Sequence, residues 1–242
     1  MKLNSIDVLI LCGGLGTRLR SVIGESPKPM AEFDHEPFLN VLLKDLREQG
    51  FQRIILCAGY KGDVIEEYYR GHDLGLEIIV SQELSPLGTG GAIQNVRHLI
   101  QSKTFLVLNG DSFCHLDYAE FLKFHDQKKA VASMAVVKAK GSKDYGMPAL
   151  DRTKKVIGFF EKTEVKIPAK DSTVGVNAGI YCFNEEIFAF FPGKDVFSLE
   201  NDMFSKLVNK EFFGFEIKEG FIDIGTPERF KKAQTFLKKE QE

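Results

Sequence analysis

Short apolar runs alternate with amphipathic stretches along the first half of the chain. The runs with the length and aliphatic content of buried strands are at positions 6–11, 53–58, 76–81 and 105–108. Positions 37–50 carry apolar residues at helical spacing between Pro37 and Gly50, and positions 63–69 also favour a helix. This alternation predicts a Rossmann-like α/β fold, with a mostly parallel mixed sheet flanked by helices.

After about position 138 the pattern changes to short strands separated by polar turns. In the second half, strands are predicted at 130–137, 145–146, 156–161, 174–183 and 212–217. Helices are predicted at 92–100, 117–128, 198–208 with Ser198 as N-cap, and 228–242. We interpret positions 138–220 as a small inserted lobe within a single domain that covers residues 1–242.

A glycine loop follows the first predicted strand. Residues 13–19 have the sequence GGLGTRL, and PKP follows at positions 27–29. Glycines without a Cβ let backbone N–H groups approach a ligand, and Arg18 and Lys28 add two cations. The flanking prolines fix the backbone around Lys28, which favours a positioned side chain. The combination predicts a binding site for a polyphosphate.

Two well-known glycine loops do not match this one. A Walker loop has Lys-Ser/Thr directly after its last glycine, whereas Gly16 is followed by Thr17 and Arg18. A dinucleotide-binding fingerprint has a glycine where this chain has Leu19. On the glycines alone, a plain turn at the end of a strand, with an exposed arginine and lysine, stays an alternative.

Further polar positions follow other predicted strands. PLGTGGA at 86–92 would bring backbone against a flat or phosphorylated group. Asp111 follows the strand at 105–108, at the sheet edge where α/β proteins bind ligands, and its carboxylate suits Mg²⁺. Asp223 lies in an apolar run, where an acid is costly unless it binds something; the alternative is an Asp that accepts N–H groups of the following turn.

The motifs LCGGLGTRL, SPKPM, PLGTGGAI and VLNGDS together resemble those of the sugar-nucleotidyltransferases, over about Ile6 to Pro227. These enzymes join a sugar 1-phosphate to a nucleoside triphosphate. Within them the chain is most similar to the short guanylyltransferases that act on D-glycero-α-D-manno-heptose 1-phosphate. The resemblance implies the nucleotidyltransferase fold, a GDP-heptose product for capsule, lipopolysaccharide or S-layer glycans, and a sugar-binding role for the inserted lobe.

The resemblance also implies a set of site residues. The catalytic residues would be Arg18, Lys28 and Lys162. The nucleotide would be bound by Leu11, Gly13, Gly14, Gly16, Thr17, Gln82, Gly88 and Thr89, although Gln82 alone is more typical of a solvated loop. The sugar phosphate would be bound by Asn109, Gly146, Glu161, Lys162 and Asn177. The cofactor Mg²⁺ would be shared by Asp111 and Asp223.

Composition limits the classes of binding partner and the cellular compartment that we expect for the protein. A net charge of −2 over 242 residues gives no sign of a nucleic-acid or membrane partner. The four cysteines form no CxxC pair and no signal peptide is evident, which favours a reducing cytoplasm. We expect the five histidines at the surface or in loops. The apolar C-terminal third leaves room for a homodimer.

The residues alone leave base and sugar open. Mannose 1-phosphate with GTP, and glucose 1-phosphate with dTTP or UTP, are alternatives to heptose 1-phosphate with GTP. A regulatory subunit that binds a nucleotide sugar without turnover is the non-enzyme alternative. It predicts loss of the cations or of one acid, yet Arg18, Lys28, Asp111 and Asp223 are all present. A dehydrogenase lacks its fingerprint.

Overall fold

The computed structural model describes residues 2–138, 145–161, 172–218 and 220–239. The strands are β1 (Asp7–Leu11), β2 (Glu32–Phe33), β3 (Glu36–Pro37), β4 (Arg53–Ala58), β5 (Glu77–Gln82), β6 (Thr104–Asn109), β7 (Ser112–Cys114), β8 (Ala132–Lys138), β9 (Gly146–Leu150), β10 (Val156–Glu161), β11 (Thr173–Asn184), β12 (Phe212–Ile217) and β13 (Phe221–Asp223). The α-helices are α1 (Arg20–Ile23), α2 (Phe38–Glu48), α3 (Gly62–Gly71), α4 (Gly88–Asn95), α5 (Tyr118–Gln127), α6 (Phe204–Leu207) and α7 (Pro227–Lys239).

The main sheet has the order β12-β8-β11-β6-β1-β4-β5. Strands β6, β1, β4 and β5 are parallel neighbours, and β8 and β12 are parallel to each other. Strand β11 is antiparallel to each of its partners, β6, β8 and β9, and β9 adds the hairpin β9–β10 to the same sheet. The predicted mostly parallel mixed sheet is therefore confirmed.

Strand β1 lies at the centre of this sheet and is buried on both faces. Val8 and Ile10 belong to one apolar core, which also contains the buried face of α2. Leu9 points to the other core, which contains Ala92 and Ile93 of α4. Alternate side chains of this strand thus point to opposite faces of the sheet and pack into two cores, each covered by helices.

Asp7 ties together the amino ends of the parallel strands. Its carboxylate accepts hydrogen bonds from Arg53 Nη1 at 2.7 Å and from the backbone N–H groups of Gln101 at 2.6 Å and Ser102 at 2.8 Å. Burial opposes ionisation, but the bonds from Ser102, Arg53 and Gln101 hold the pKa of Asp7 below its ordinary value. The loops with candidate chemistry lie at the opposite, carboxyl ends of these strands.

The predicted lobe, positions 138–220, covers the hairpin β9–β10, strand β11, helix α6 and strand β12. Thr173 and Val174 of β11 pair with β9, and its second half, Ile180 to Asn184, pairs with β6. The described part of the lobe therefore shares the main sheet. Parts of the predicted range 138–220 lie outside the described residues.

Some local predictions were wrong at their boundaries or in detail. Helix α4 begins at Gly88, four residues before the predicted start, and ends at Asn95, after which Arg97–Leu99 forms a 3₁₀ turn. Ser198 is an N-cap as predicted, but Leu199–Met203 is a π-helix that precedes α6. His125 is buried on α5 rather than exposed or in a loop.

The four cysteines are free thiols in the core, where burial raises the pKa of each. In such surroundings a free cysteine behaves as a small apolar residue. In the described part of the chain, none of the helices combines the length and apolar character needed to cross a bilayer.

Candidate active site

The glycine loop after β1 is held close to two other parts of the chain. Gly16 has φ of 60°, a left-handed conformation that favours glycine, and a Cβ there would lie 3.3 Å from Cβ of Lys28. Gly59, directly after β4, lies against Gly13: a Cβ on Gly59 would lie 2.7 Å from Gly13 Cα. The start of the loop therefore rests on the backbone at the end of the neighbouring strand.

Lys28 lies in a short 3₁₀ turn, Lys28–Met30, directly after Pro27. Its Nζ donates a hydrogen bond to Oδ2 of Asp111, which follows β6. The Lys28 side chain is only 11% exposed, so it is positioned by its surroundings, as the flanking prolines predicted. The glycine loop and the end of β6 are joined by this ion pair.

The two candidate metal-binding acids lie side by side. Strand β13 pairs antiparallel with β7, with Asp223 opposite Ser112, and Ile224 N donates to the backbone oxygen of Asp111 at 3.0 Å. Asp223 is buried, whereas the side chain of Asp111 is 35% exposed. Residues more than one hundred positions apart in sequence are therefore brought together by this two-stranded sheet.

Several donors surround the buried carboxylate of Asp223. Oδ1 accepts from Gly225 N at 2.8 Å and lies 3.5 Å from Nη1 of Arg229, and Oδ2 accepts from the Tyr145 hydroxyl. Arg229 also stacks over the Tyr145 ring, at 4.7 Å from its centroid. A Cβ on Gly225 would lie 3.7 Å from Nη2 of Arg18, so Arg18 reaches the same turn.

A cavity of about 350 Å³ lies beside these groups. It is lined by Leu11, Gly13, Gly14, Leu15, Glu83, Pro86, Gly88, Thr89, Ala92, Asn109 and Asp111. A larger cavity of about 660 Å³ lies between α2, β7 and α7, and none of the predicted site residues lines it. Because the smaller one adjoins the glycine loop and Asp111, we take it as the candidate active site.

Residues 7–240 match the family model described as Nucleotidyl transferase. The chain belongs to this family. One curated relative is the D-glycero-alpha-D-manno-heptose 1-phosphate guanylyltransferase of Aneurinibacillus thermoaerophilus, which is 37% identical; the match covers 96% of this chain and 98% of that protein. Another is the mannose-1-phosphate guanylyltransferase of Mycobacterium tuberculosis, which is 35% identical; the match covers 98% of this chain and 66% of that protein. The crystal structure of HddC from Yersinia pseudotuberculosis aligns with a TM-score of 0.81 and 36% identity over 96% of this chain and 99% of that one, and HddC has also been solved complexed with GMP-PN.

In this nucleotidyl transferase the second glycine segment packs on protein as well as lining the cavity. Gly90 N and Gly91 N both donate to the backbone oxygen of Phe197, at 3.0 and 3.2 Å. A Cβ on Gly90 would lie 2.1 Å from the Phe197 ring. The hydroxyl of Thr89 donates to Glu200 and accepts from Leu199 N, both at 2.8 Å. The nucleotide-binding roles of Gly88 and Thr89 stay predictions.

The end of β5 supplies two polar side chains with different surroundings. Gln82 is exposed and its amide donates to Glu66 at 2.6 Å; it lines a neighbouring recess rather than the candidate cavity. Glu83, which follows it, does line the cavity. The predicted nucleotide contact of Gln82 is therefore not built into the described cavity, and it too stays a prediction.

The predicted sugar-phosphate residues are partly brought together. Gly146 and Glu161 are cross-strand partners at the end of the β9–β10 hairpin. Asn177 uses its side chain within β11, donating to Tyr181 Oη at 2.8 Å and accepting from Gly179 N at 3.0 Å. Asn109 lines the cavity, whereas Lys162 lies outside the described residues.

The remaining loop residues are open to solvent. Gly14 has space around it, since a Cβ there would meet nothing within 4 Å, and the Thr17 side chain is exposed. Over residues 2–138, 145–161, 172–218 and 220–239, no three His, Cys, Asp or Glu side chains cluster so as to hold a metal. The candidate metal site therefore rests on two carboxylates, those of Asp111 and Asp223.

Sequence reasoning missed four residues of the site: Gly59, Glu83, Tyr145 and Arg229. Glu83 had a usable signal, because it directly follows a parallel strand at the edge where ligands bind. Gly59 had a weaker form of the same signal. Tyr145 and Arg229 had none, since only the tertiary structure brings them to Asp223.

Proposed function

We propose that the chain transfers GMP from GTP to a sugar 1-phosphate, D-glycero-α-D-manno-heptose 1-phosphate, and releases pyrophosphate. GDP-heptose would then be a precursor for capsule, lipopolysaccharide or S-layer glycans. The observation that carries the proposal is the convergence of Arg18, Lys28, Asp111 and Asp223 beside one cavity. The names of the similar heptose 1-phosphate guanylyltransferase and of HddC with GMP-PN support the choice of base and sugar.

The reaction asks mainly for positioning and charge neutralisation. The sugar phosphate is already an anion, so its oxygen attacks the α-phosphorus in line without a general base. Arg18 holds the β- and γ-phosphates and stabilises the leaving pyrophosphate. Lys28 lies at the α-phosphate, where negative charge changes most, and the predicted role of Lys162 is to hold the sugar phosphate.

The donor set at Asp111 and Asp223 fits Mg²⁺. This ion is hard and takes one or two protein carboxylates together with phosphate oxygens, which is what a pair of adjacent acids beside a triphosphate cavity offers. When bound, it would neutralise phosphate charge. Gly225 N and the Tyr145 hydroxyl orient the Asp223 carboxylate, and Ser112 Oγ donates to Asp111 at 3.2 Å.

The compartment and the second candidate substrate follow from separate observations. The free, buried thiols support a reducing cytoplasm. The relative that acts on mannose 1-phosphate by name is 35% identical, which supports mannose 1-phosphate as the second candidate acceptor.

One substrate matrix tests the proposal. Pyrophosphate release is measured for GTP, ATP, CTP and UTP against heptose, mannose and glucose 1-phosphates, with Mg²⁺. We expect the highest kcat/KM for GTP with the heptose phosphate. The double change D111N/D223N should abolish release, while D63N, an exposed acid in the first turn of α3, should not. Nucleotide binding without release would favour the regulatory-subunit alternative.

A further inference from the structure

Arg229 lies against both Asp223 and the start of the β9–β10 hairpin. Its Nη1 is 3.5 Å from Oδ1 of Asp223, and its guanidinium carbon is 4.7 Å from the centroid of the Tyr145 ring. The hydroxyl of the same tyrosine donates to Oδ2 of Asp223. Tyr145 directly precedes Gly146, whose cross-strand partner is Glu161. Arg229 therefore contacts the candidate metal site and the hairpin whose residues are predicted to bind the sugar.

The position of Arg229 is unfavourable for the helix that carries it. Arg229 is in the first turn of α7, where a cation is repelled by the partial positive charge at the helix N-terminus. Its side chain is only 22% exposed, and burial of a guanidinium is costly unless anions pair with it. A residue that breaks a local rule in this way beside a candidate site is typical of one with a functional role.

Two arginines approach the same carboxylate. The three atoms nearest to the position that a Cβ on Gly225 would take are Oδ1 of Asp223 at 2.6 Å, Nη1 of Arg229 at 3.6 Å and Nη2 of Arg18 at 3.7 Å. The contact between Arg229 and Asp223 is longer than the roughly 2.7–2.9 Å of a tight pair of opposite charges. Once Asp223 binds Mg²⁺, both arginines face a further positive charge, and an anion between them lowers that repulsion.

The elements that carry the two arginines indicate which phosphate each one binds. Arg18 belongs to the glycine loop, which lines the cavity proposed for the nucleotide. Arg229 comes from α7 and lies on the Tyr145 ring of the hairpin. The phosphate of the acceptor is bonded to its sugar and has to reach the metal site. It therefore has to lie between the hairpin and Asp223, where Arg229 is.

We infer that Arg229 binds the phosphate group of the sugar 1-phosphate, and that Tyr145 is a positioning residue that holds the guanidinium against its ring. A guanidinium that lies on an aromatic ring keeps its N–H donors in its own plane, and their fork matches phosphate oxygens. This inference rests on the proposed function and adds a phosphate-binding residue that the motifs of the sequence do not contain.

The test compares the wild type with R229Q and R229K by steady-state pyrophosphate release with Mg²⁺, GTP and heptose 1-phosphate. R229Q should raise KM for the sugar phosphate about 10- to 100-fold, the effect of losing a hydrogen bond to a charged group. Its KM for GTP should stay within a few fold of the wild type. R229K keeps the charge but not the fork of donors, so its KM for the sugar phosphate should lie between the two.

R97Q is the matched control. Arg97 also places its guanidinium over an aromatic ring, that of Phe188 at 4.5 Å, and it lies in the 3₁₀ turn after α4, outside the described lining of the candidate cavity. The same change there should leave both KM values as in the wild type. Calorimetric titration of heptose 1-phosphate, with Mg²⁺ and a GTP analogue that cannot transfer GMP, measures the same loss of affinity in R229Q without turnover.

Y145F separates phosphate binding from the orientation of Asp223. It removes the hydroxyl that donates to Oδ2 and keeps the ring beside Arg229. We expect a higher Mg²⁺ concentration at half-maximal activity, and a smaller change in KM for the sugar phosphate than in R229Q. If R229Q instead shifts the Mg²⁺ requirement and leaves that KM unchanged, Arg229 acts only through Asp223 and the inference is wrong.

The outcomes also separate this inference from the proposed function. An active wild type whose R229Q variant keeps its affinity for heptose 1-phosphate overturns the role of Arg229 and leaves guanylyl transfer standing. A wild type that binds heptose 1-phosphate through Arg229, but releases no pyrophosphate, overturns the enzyme and keeps the phosphate contact. Should R229Q fail to fold, wild-type affinity for the sugar phosphate in R229K overturns the inference in its place.

Discussion

Two arginines that lie close in sequence have different surroundings. Nη2 of Arg18 reaches the turn at Gly225, beside Asp223. Arg20, two positions later, places its guanidinium 5.7 Å from the ring centroid of Tyr60. Both side chains are exposed, so exposure does not distinguish them; the group that each one faces does.

Arg18→Ala should lower kcat/KM about 10²- to 10³-fold, because it removes a cation that stabilises charge on the leaving pyrophosphate. Arg20→Ala is the matched control and should stay within a few fold of the wild type. Steady-state pyrophosphate release measures both. Near-normal turnover in Arg18→Ala would remove this residue from the mechanism.

His125 predicts a pH dependence of stability. Its Nδ1 lies 2.9 Å from Ser133 Oγ, Nε2 has no hydrogen-bond partner within the part of the chain that the structure describes, and burial lowers its pKa to about 4. Unfolded, the ring binds a proton near pH 6.5. The unfolded state therefore binds more protons between these values, and the free energy of unfolding falls as the pH falls from about 6.5 towards 4.

Urea unfolding at pH 7.5 and pH 5.5 measures this effect. Between these pH values the wild type should lose about 1 kcal/mol more than His125→Asn, since the variant lacks the titrating ring. Only the difference between the two pH values is compared, so a constant loss in the variant does not matter. Equal losses in both proteins would contradict the assignment.

At the scale of elements, α4 and the segment 195–200 form one unit. Gly88 to Gly91 lie against the backbone and ring of Phe197 and the backbone of Asp195, and Thr89 closes the contact through Leu199 and Glu200. The loop that lines the cavity is therefore held in place by a part of the chain that lies more than one hundred residues later.

Gly91→Ala should disturb this unit, because its Cβ would lie 2.3 Å from the backbone oxygen of Asp195, which cannot rotate away. We expect a loss of about 1–3 kcal/mol in the free energy of unfolding and a raised KM for the nucleotide. Gly71→Ala, at the end of α3 with nothing within 4 Å of its Cβ, should be neutral or slightly stabilising. Equal effects of the two changes would refute the packing argument.

The elements show which parts of the fold were readable from the sequence. The strands before the lobe and helix α2 follow from apolar runs and periodicity, because each buries a continuous face. The start of α4 was misplaced because the glycines at 88, 90 and 91 look like a loop locally, whereas packing against Phe197 and Asp195 requires a helix with no side chains at those three positions. The contacts of Thr89 were not predicted for the same reason, because its partners, Leu199 and Glu200, lie on a segment distant in sequence.

The residues of the candidate site likewise fall into those that the sequence predicted and those that it did not. Arg18, Lys28 and Asp111 were found because each lies in a short motif after a strand. Tyr145 and Arg229 were not, since their contact with Asp223 depends on where β9 and α7 lie relative to β13. Local patterns report the residues that begin or end an element; they do not report which elements meet.

At the scale of the whole molecule, strand β11 joins the predicted lobe to the rest. It pairs with β6, β8 and β9, and residues on its two faces enter both apolar cores. A lobe that separated from the sheet would have to break the pairing of one continuous strand.

We therefore expect one cooperative thermal transition, with a calorimetric enthalpy close to the van't Hoff enthalpy. Differential scanning calorimetry measures both quantities. An early, resolved transition assigned to the hairpin β9–β10 would show that the lobe is a separate folding unit and would contradict a single domain.

The contact between Gly59 and Gly13 has a consequence for mutational tolerance. Gly59 carries no functional group and lies more than forty positions after the loop it supports, yet a Cβ there would lie 2.7 Å from Gly13 Cα and 2.8 Å from Gly13 O. A saturation library at position 59 should therefore be as depleted as one at Lys28. In a mutational scan of the whole gene, intolerance of substitutions at this glycine would report its packing against the glycine loop and not a catalytic role.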